Sequence, residues 1–104
     1  MELDTHQLKK STLAKAPADK IFHVCRGDRI DNLKDLANCI ESLTPEQFKH
    51  HVSFEGKKND FAMWIFDVFK NAALSRDLNY EINLKDQKHY VKTLRDHLRW
   101  LESV

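Results

Sequence analysis

Glycine, proline and cysteine are all scarce in this chain, two of each among 104 residues. So few turn-forming residues exclude a many-stranded β architecture and favour helices joined by brief links. Cys25 and Cys39 are too few for a disulfide scaffold, so both thiols are expected to be reduced and the compartment cytoplasmic. An excess of charge is missing as well. The 17 Lys and Arg face 16 Asp and Glu, a formal net charge of +1, which supplies no global pull toward nucleic acid or an anionic membrane. No apolar run nears the ~18–20 residues of a membrane span, and the start of the chain lacks the apolar stretch of a signal peptide. There is no Gly-rich phosphate loop, no C-x-x-C pair and no H-E-x-x-H helix.

What is present suits one small globular domain. At 104 residues with 41% hydrophobic and 32% charged side chains, the chain can bury a single modest core. Residues 1–19 are mixed and polar and read as a loosely held arm, because Pro17 interrupts any helix begun by Leu8 and Leu13. Residues 20–104 read as one helical domain.

The central stretch runs from Asn59 to Asn71. Wheeled at ~100° per residue, Phe61, Ala62, Trp64, Ile65, Phe66, Val68 and Phe69 cover an arc of roughly 200°. An ordinary surface helix buries a stripe somewhat over ~100° wide. This helix should therefore be enclosed on several sides, by its own bundle or by a partner. Asn59 or Asp60 caps its start.

Elsewhere the signals are local. Residues 21–25, β-branched and aromatic ahead of Arg26-Gly27-Asp28, suggest a short extended piece with no obvious partner strand. Asp31 is a candidate N-cap, with Ile30 as a staple, for a helix carrying Leu33, Leu36, Ala37 and Ile40. Thr44-Pro45-Glu46-Gln47 spells a capping box with proline at the first helical position, and the short helix it starts ends near His51. Residues 52–58 read as a polar loop, and Ser75 to Asn83 as a connector that tucks Leu78, Tyr80 and Ile82 inward. From Leu84, the residues Tyr90, Val91, Leu94, Leu98 and Leu101 mark one side of a long amphipathic helix. The sum is an all-α class: a compact bundle of four to five helices with a short extended segment near residues 21–25.

Four constellations bear on function. Lys85, Lys88, Lys92, Arg95 and Arg99 fall within roughly 80° on the last helix, a basic stripe that reads first as a solvated face. An acidic protein partner comes next, and nucleic acid is disfavoured because no aromatic residues interleave. Cys25, His51 and Asp60 are the residue types of a nucleophile, base and orienting acid, but spacing alone does not bring them together. Cys25 reads more simply as a small packed hydrophobe. The adjacent His50 and His51 point about 100° apart on a helix, so no metal site and no cofactor are expected. Finally Met63, Phe66 and Asp67 on the central helix, Phe54 in the loop before it, and Trp100 off the core side of the last helix form a candidate partner-binding face.

The spacing of Phe22, Cys25, Gly27, Ile30, Asn32 and Leu33, then Phe48, His51 and Val52, then Asn59-Asp60-Phe61-Ala62, Trp64-Ile65 and Asp67-Val68-Phe69 resembles a family of small helical domains. That family has no assigned function, and its members occur alone or appended to larger proteins. The likeness covers roughly residues 20–78 and implies no catalytic residues. The chain is also similar in general character to small inhibitors of bacterial ubiquitin-deamidase and transglutaminase effectors. That likeness implies an all-helical protein that binds a papain-like enzyme acting on ubiquitin, in a cytoplasm that includes a host cell's. The leading expectation is thus a non-catalytic protein–protein interaction module, a small inhibitor or regulator of an enzyme, with a homodimer as a further expectation. A nucleic-acid-associated protein using the basic stripe, and a Cys-dependent enzyme, are the alternatives.

Overall fold

Local capping sets the outline. The Thr44 hydroxyl accepts the Gln47 N–H at 3.1 Å while the Gln47 side chain accepts the Thr44 N–H at 3.0 Å. This reciprocal pair satisfies donors that the first helical turn leaves unpaired. Asn32 and Asn59 cap two further helices through the N–H groups of Asp35 and Ala62.

The computed structural model describes residues 5–53, 58–80 and 87–104. Its elements are α1 (Thr5–Thr12), a 3-10 turn (Ala18–Lys20), β1 (Phe22–His23), β2 (Arg29–Ile30), α2 (Leu33–Ser42), α3 (Pro45–His51), β3 (Val52–Ser53), β4 (Lys58–Asn59), α4 (Asp60–Phe69), α5 (Ala72–Tyr80) and α6 (Gln87–Ser103). The fold is an all-α bundle with two small antiparallel strand pairs, β1 with β2 and β3 with β4. No helix among the described residues is long and apolar enough to cross a membrane.

α6 lies along α2 and is flanked by α1 and α5, while α5 packs against α4. Its inward side is the one the periodicity marks: Tyr90, Val91, Leu94, Leu98 and Leu101 are all buried. Leu33, Leu36, Ala37 and Ile40 of α2 and Phe61, Ala62, Ile65 and Phe69 of α4 complete the core with Leu74 and Leu78 of α5. Phe48 and Tyr90 meet edge to face at 5.1 Å between centroids, and Phe48 stacks on Phe61, arrangements that favour aromatic pairs beyond their buried area. The Tyr90 hydroxyl accepts a hydrogen bond from the Asn59 side chain, and burial pushes the phenol well above its ordinary range.

Several expectations are corrected here. Residues 72–80 form α5 rather than a connector. α4 closes at Lys70, whose φ of 56° is left-handed, and Asn71 then caps the next helix by accepting the Leu74 N–H. β1 does find a partner, with Phe22 opposite Ile30 and His23 opposite Arg29. The turn between them needs Gly27, whose φ is 114°, a conformation with little steric cost only for glycine. The ends of the span 52–58, expected to be a polar loop, belong to strands instead: β3 begins it and β4 starts at its last residue, with Val52 opposite Asn59 and Ser53 opposite Lys58. The cap of α2 is Asn32, one residue beyond Asp31, because Asn32 is the residue with extended backbone and its side chain in reach of the Asp35 N–H. Cys25 is exposed rather than packed. Val24 takes the inward place and the turn carries Cys25 out.

Residues 5–19, read as an arm, contain α1. Thr12 and Ala16 are buried, the Ala16 N–H donates to the Asp31 carbonyl at 2.6 Å, and the Ser11 hydroxyl donates to the Phe69 carbonyl. Phe54, Ile82, Leu84 and Lys85 lie outside the described residues.

Candidate functional site

α4 is apolar on more sides than the bundle covers. Phe61, Ala62, Ile65 and Phe69 face the core, and Trp64 is held across the edge by its indole N–H, which donates to the Lys20 carbonyl at 2.6 Å. On the outer side Met63 is 63% exposed and Phe66 50% exposed, with Asp67 exposed beside them. A separation of three or four residues makes these side chains neighbours on the helix surface. The fourth candidate, Trp100, is 49% exposed on α6 and packs against His97 at 5.6 Å between centroids. The His97 Nε2 in turn accepts from the Asn71 side chain at 2.8 Å. That places Trp100 one ring away from the joint that follows α4, and Phe66 lies in the last turn of the same helix.

The second cluster centres on His51, which closes α3 and is only 4% exposed, between the rings of Phe22 and Phe61 at 5.2 Å each. Its Nδ1 lies 3.0 Å from Asp60 Oδ2, and its Nε2 accepts the Cys25 main-chain N–H at 3.0 Å. A carboxylate on one side and an N–H donor on the other select the neutral tautomer with its proton on Nδ1. Lys58, opposite Ser53 in the β3–β4 pair, donates to the His50 carbonyl at 2.9 Å and sits 3.5 Å from Asp60. Cys25, His50 and His51 each bring one donor atom to within 4.8 Å of the others.

The fold brings Cys25, His51 and Asp60 together, which their spacing does not announce, and adds His50. Its inclusion could not be read from sequence, since Cys25 arrives from a turn 26 positions upstream of His51. The triad geometry is not that of an activated thiol. The imidazole lone pair faces the Cys25 main chain, while Sγ lies 3.9 Å from the Gln47 carbonyl.

The basic stripe is largely compensated. Arg95 grips Glu41 with both terminal nitrogens, at 2.8 and 3.2 Å, and also donates to Asn38 at 2.9 Å. Those hydrogen bonds hold the Glu41 carboxyl below its usual range. Lys92 pairs with Asp96, and Arg99 lies 3.8 Å from the same carboxylate. Lys92, Arg95 and Arg99 of the stripe therefore face carboxylates, which leaves a weak field for phosphates. Exposed pairs of this kind add little stability.

Compared with known proteins, the chain matches no family model, no curated protein and no solved structure at a significant level.

Proposed function

We propose that this chain is a non-catalytic protein–protein interaction module, a small inhibitor or regulator of an enzyme, that docks through the outer side of α4. The observation that carries the reading is the exposure of Met63 and Phe66 on a helix whose opposite side already fills the core. Burying the exposed halves of these two side chains would contribute roughly 1–1.5 kcal/mol each to association. Asp67 supplies a charged rim that orients a basic partner group, and Trp100 is an aromatic anchor of the type found at energetic hot spots. The engagement of the His51 lone pair by the Cys25 main chain rather than its thiol, and the carboxylate pairing of the α6 stripe, both weigh toward this reading over a thiol enzyme or a nucleic-acid binder.

The partner that the sequence resemblance suggests is a papain-like enzyme acting on ubiquitin. The test mixes the full chain with a purified ubiquitin deamidase or transglutaminase of that class, measures mass by light scattering and follows ubiquitin modification. A stoichiometric complex with loss of enzyme activity, both reversed by Phe66→Asp and by Trp100→Ala with native circular dichroism, supports the proposal. A monomeric chain that leaves the enzyme active refutes the papain-like partner. Inhibition untouched by both substitutions refutes the α4 face.

A further inference from the structure

We infer that Cys25, His50 and His51 form a binding site for a thiophilic divalent metal ion, Zn²⁺ by its donor set, with three protein donors among the described residues. The inference stands apart from the proposed docking face and would hold whatever partner the protein has.

The donors come from two elements that meet at one point. His50 and His51 end α3, with ring centroids 5.0 Å apart, and the turn after β1 lays Cys25 across them. One thiolate and two imidazoles match zinc's preference for sulfur and nitrogen ligands, whereas calcium and magnesium require oxygen. Tetrahedral zinc with Zn–S near ~2.3 Å and Zn–N near ~2.0–2.1 Å separates its ligand atoms by about 3.3–3.8 Å. The present separations, all within 4.8 Å, need a closure of about 1 Å set against that ligand spacing. Cys25 and His50 are both exposed; His50 can close in by side-chain rotation, and Cys25 by a shift of the turn that carries its main chain away from His51 Nε2.

His51 is already arranged as a ligand. Asp60 lies 3.0 Å from Nδ1, which directs the proton there and leaves the Nε2 lone pair facing the turn that carries Cys25. A metal-bound histidine is typically oriented by just such a carboxylate. The lone pair now accepts the Cys25 main-chain N–H, and this bond would be exchanged for the metal. Cys25 lies in an exposed turn, and a shift of that turn would leave its N–H to water. Lys58 sits 3.5 Å from Asp60 and offsets part of the carboxylate's charge, which argues for a site of moderate affinity. The sequence expectation of no metal rested on the divergence of two adjacent histidines. The fold answers it by supplying the third donor from a different element.

Binding replaces the Cys25 S–H bond by an S–Zn bond and releases the proton to buffer. The test is calorimetric titration of the full chain with Zn²⁺, and with Co²⁺ as a spectroscopic probe. One ion per chain is expected, with a thiolate-to-cobalt charge-transfer band and proton release. Zn²⁺ should also protect Cys25 from alkylation in the unaltered protein, read by mass spectrometry. Asp60→Asn, which alters only the orienting carboxylate, should weaken binding by about 10–100-fold. Cys25→Ser and His50→Gln, both at exposed positions, should weaken it by more than that. The control His23→Gln should leave it unchanged. The absence of stoichiometric binding, a cobalt complex without the thiolate band, or binding that survives both Cys25→Ser and His50→Gln would overturn the assignment.

Discussion

Replacing Asn71 by alanine should cost this protein far more than a single polar side chain ordinarily would. Asn71 is fully buried and joins three helices. Its Oδ1 accepts the Leu74 N–H at the start of α5, and its Nδ2 donates to the Thr12 hydroxyl of α1 at 3.0 Å and to His97 Nε2 of α6 at 2.8 Å. Loss of the cap costs about 1 kcal/mol. Each of the two acceptors left without its donor adds roughly 0.5–1.5 kcal/mol, since removing one partner strands the other away from water. The sum is about 2–4 kcal/mol, a large part of the ~5–15 kcal/mol that holds a domain folded. With a urea slope near ~1.5 kcal/mol per M, the unfolding midpoint should fall by roughly 1.3–2.7 M. Equilibrium urea unfolding followed by circular dichroism measures it. Thr12→Val removes the same α1 contact from the other side, so the double variant should lose less than the two single losses combined, by at least ~0.5 kcal/mol. A loss below ~1 kcal/mol for Asn71→Ala, or strict additivity with Thr12→Val, would refute the reasoning and show that water replaces these bonds.

Other perturbations test separate links. Phe66→Asp, at a half-exposed position, gives up the buried half of the ring and should cost about 1–1.5 kcal/mol without unfolding the chain; thermal unfolding checks this before any binding result is interpreted. Thr44→Ala removes one half of the reciprocal cap on α3 and should cost about 1 kcal/mol, read as a shift in the urea midpoint. Burial holds His97 below its ordinary pKa of 6.5, with Asp77 opposing in part. Below about pH 6.5 the unfolded chain therefore takes up a proton that the folded chain refuses. The corresponding stability is fully present above that pH and is lost as the pH falls. His97→Gln should flatten the decline between about pH 6.5 and pH 5, above the range where carboxylates contribute; an unchanged slope would remove His97 from the account.

The features legible in the sequence are those made between near neighbours. The Thr44–Gln47 box, the cap at the start of α4 and the buried side of α6 all depend on groups three or four residues apart, so residue type and spacing report them directly; the cap of α2 falls one residue beyond the Asp31 expected, on Asn32. The wide apolar arc of α4 is legible too, with the expectation that the bundle or a partner encloses it; within the chain Phe66 of that arc stays half exposed, beside Met63 and Asp67, which lie off the arc.

What only the tertiary structure decided lies at longer range. The break between α4 and α5 has no glycine to announce it. Lys70 takes the left-handed turn because Asn71 caps α5 from within a buried knot of α1, α5 and α6. β1 and β2 are two residues each, too short for a pattern, and exist because the turn at Gly27 returns the chain onto Phe22. The meeting of Cys25, His50, His51 and Asp60 likewise depends on that turn being folded over the end of α3. Local hydrogen bonds and periodic burial are encoded in a few adjacent residues. The placement of a turn on a distant helix end is encoded in the packing of the whole core, so no short stretch of sequence can spell it out.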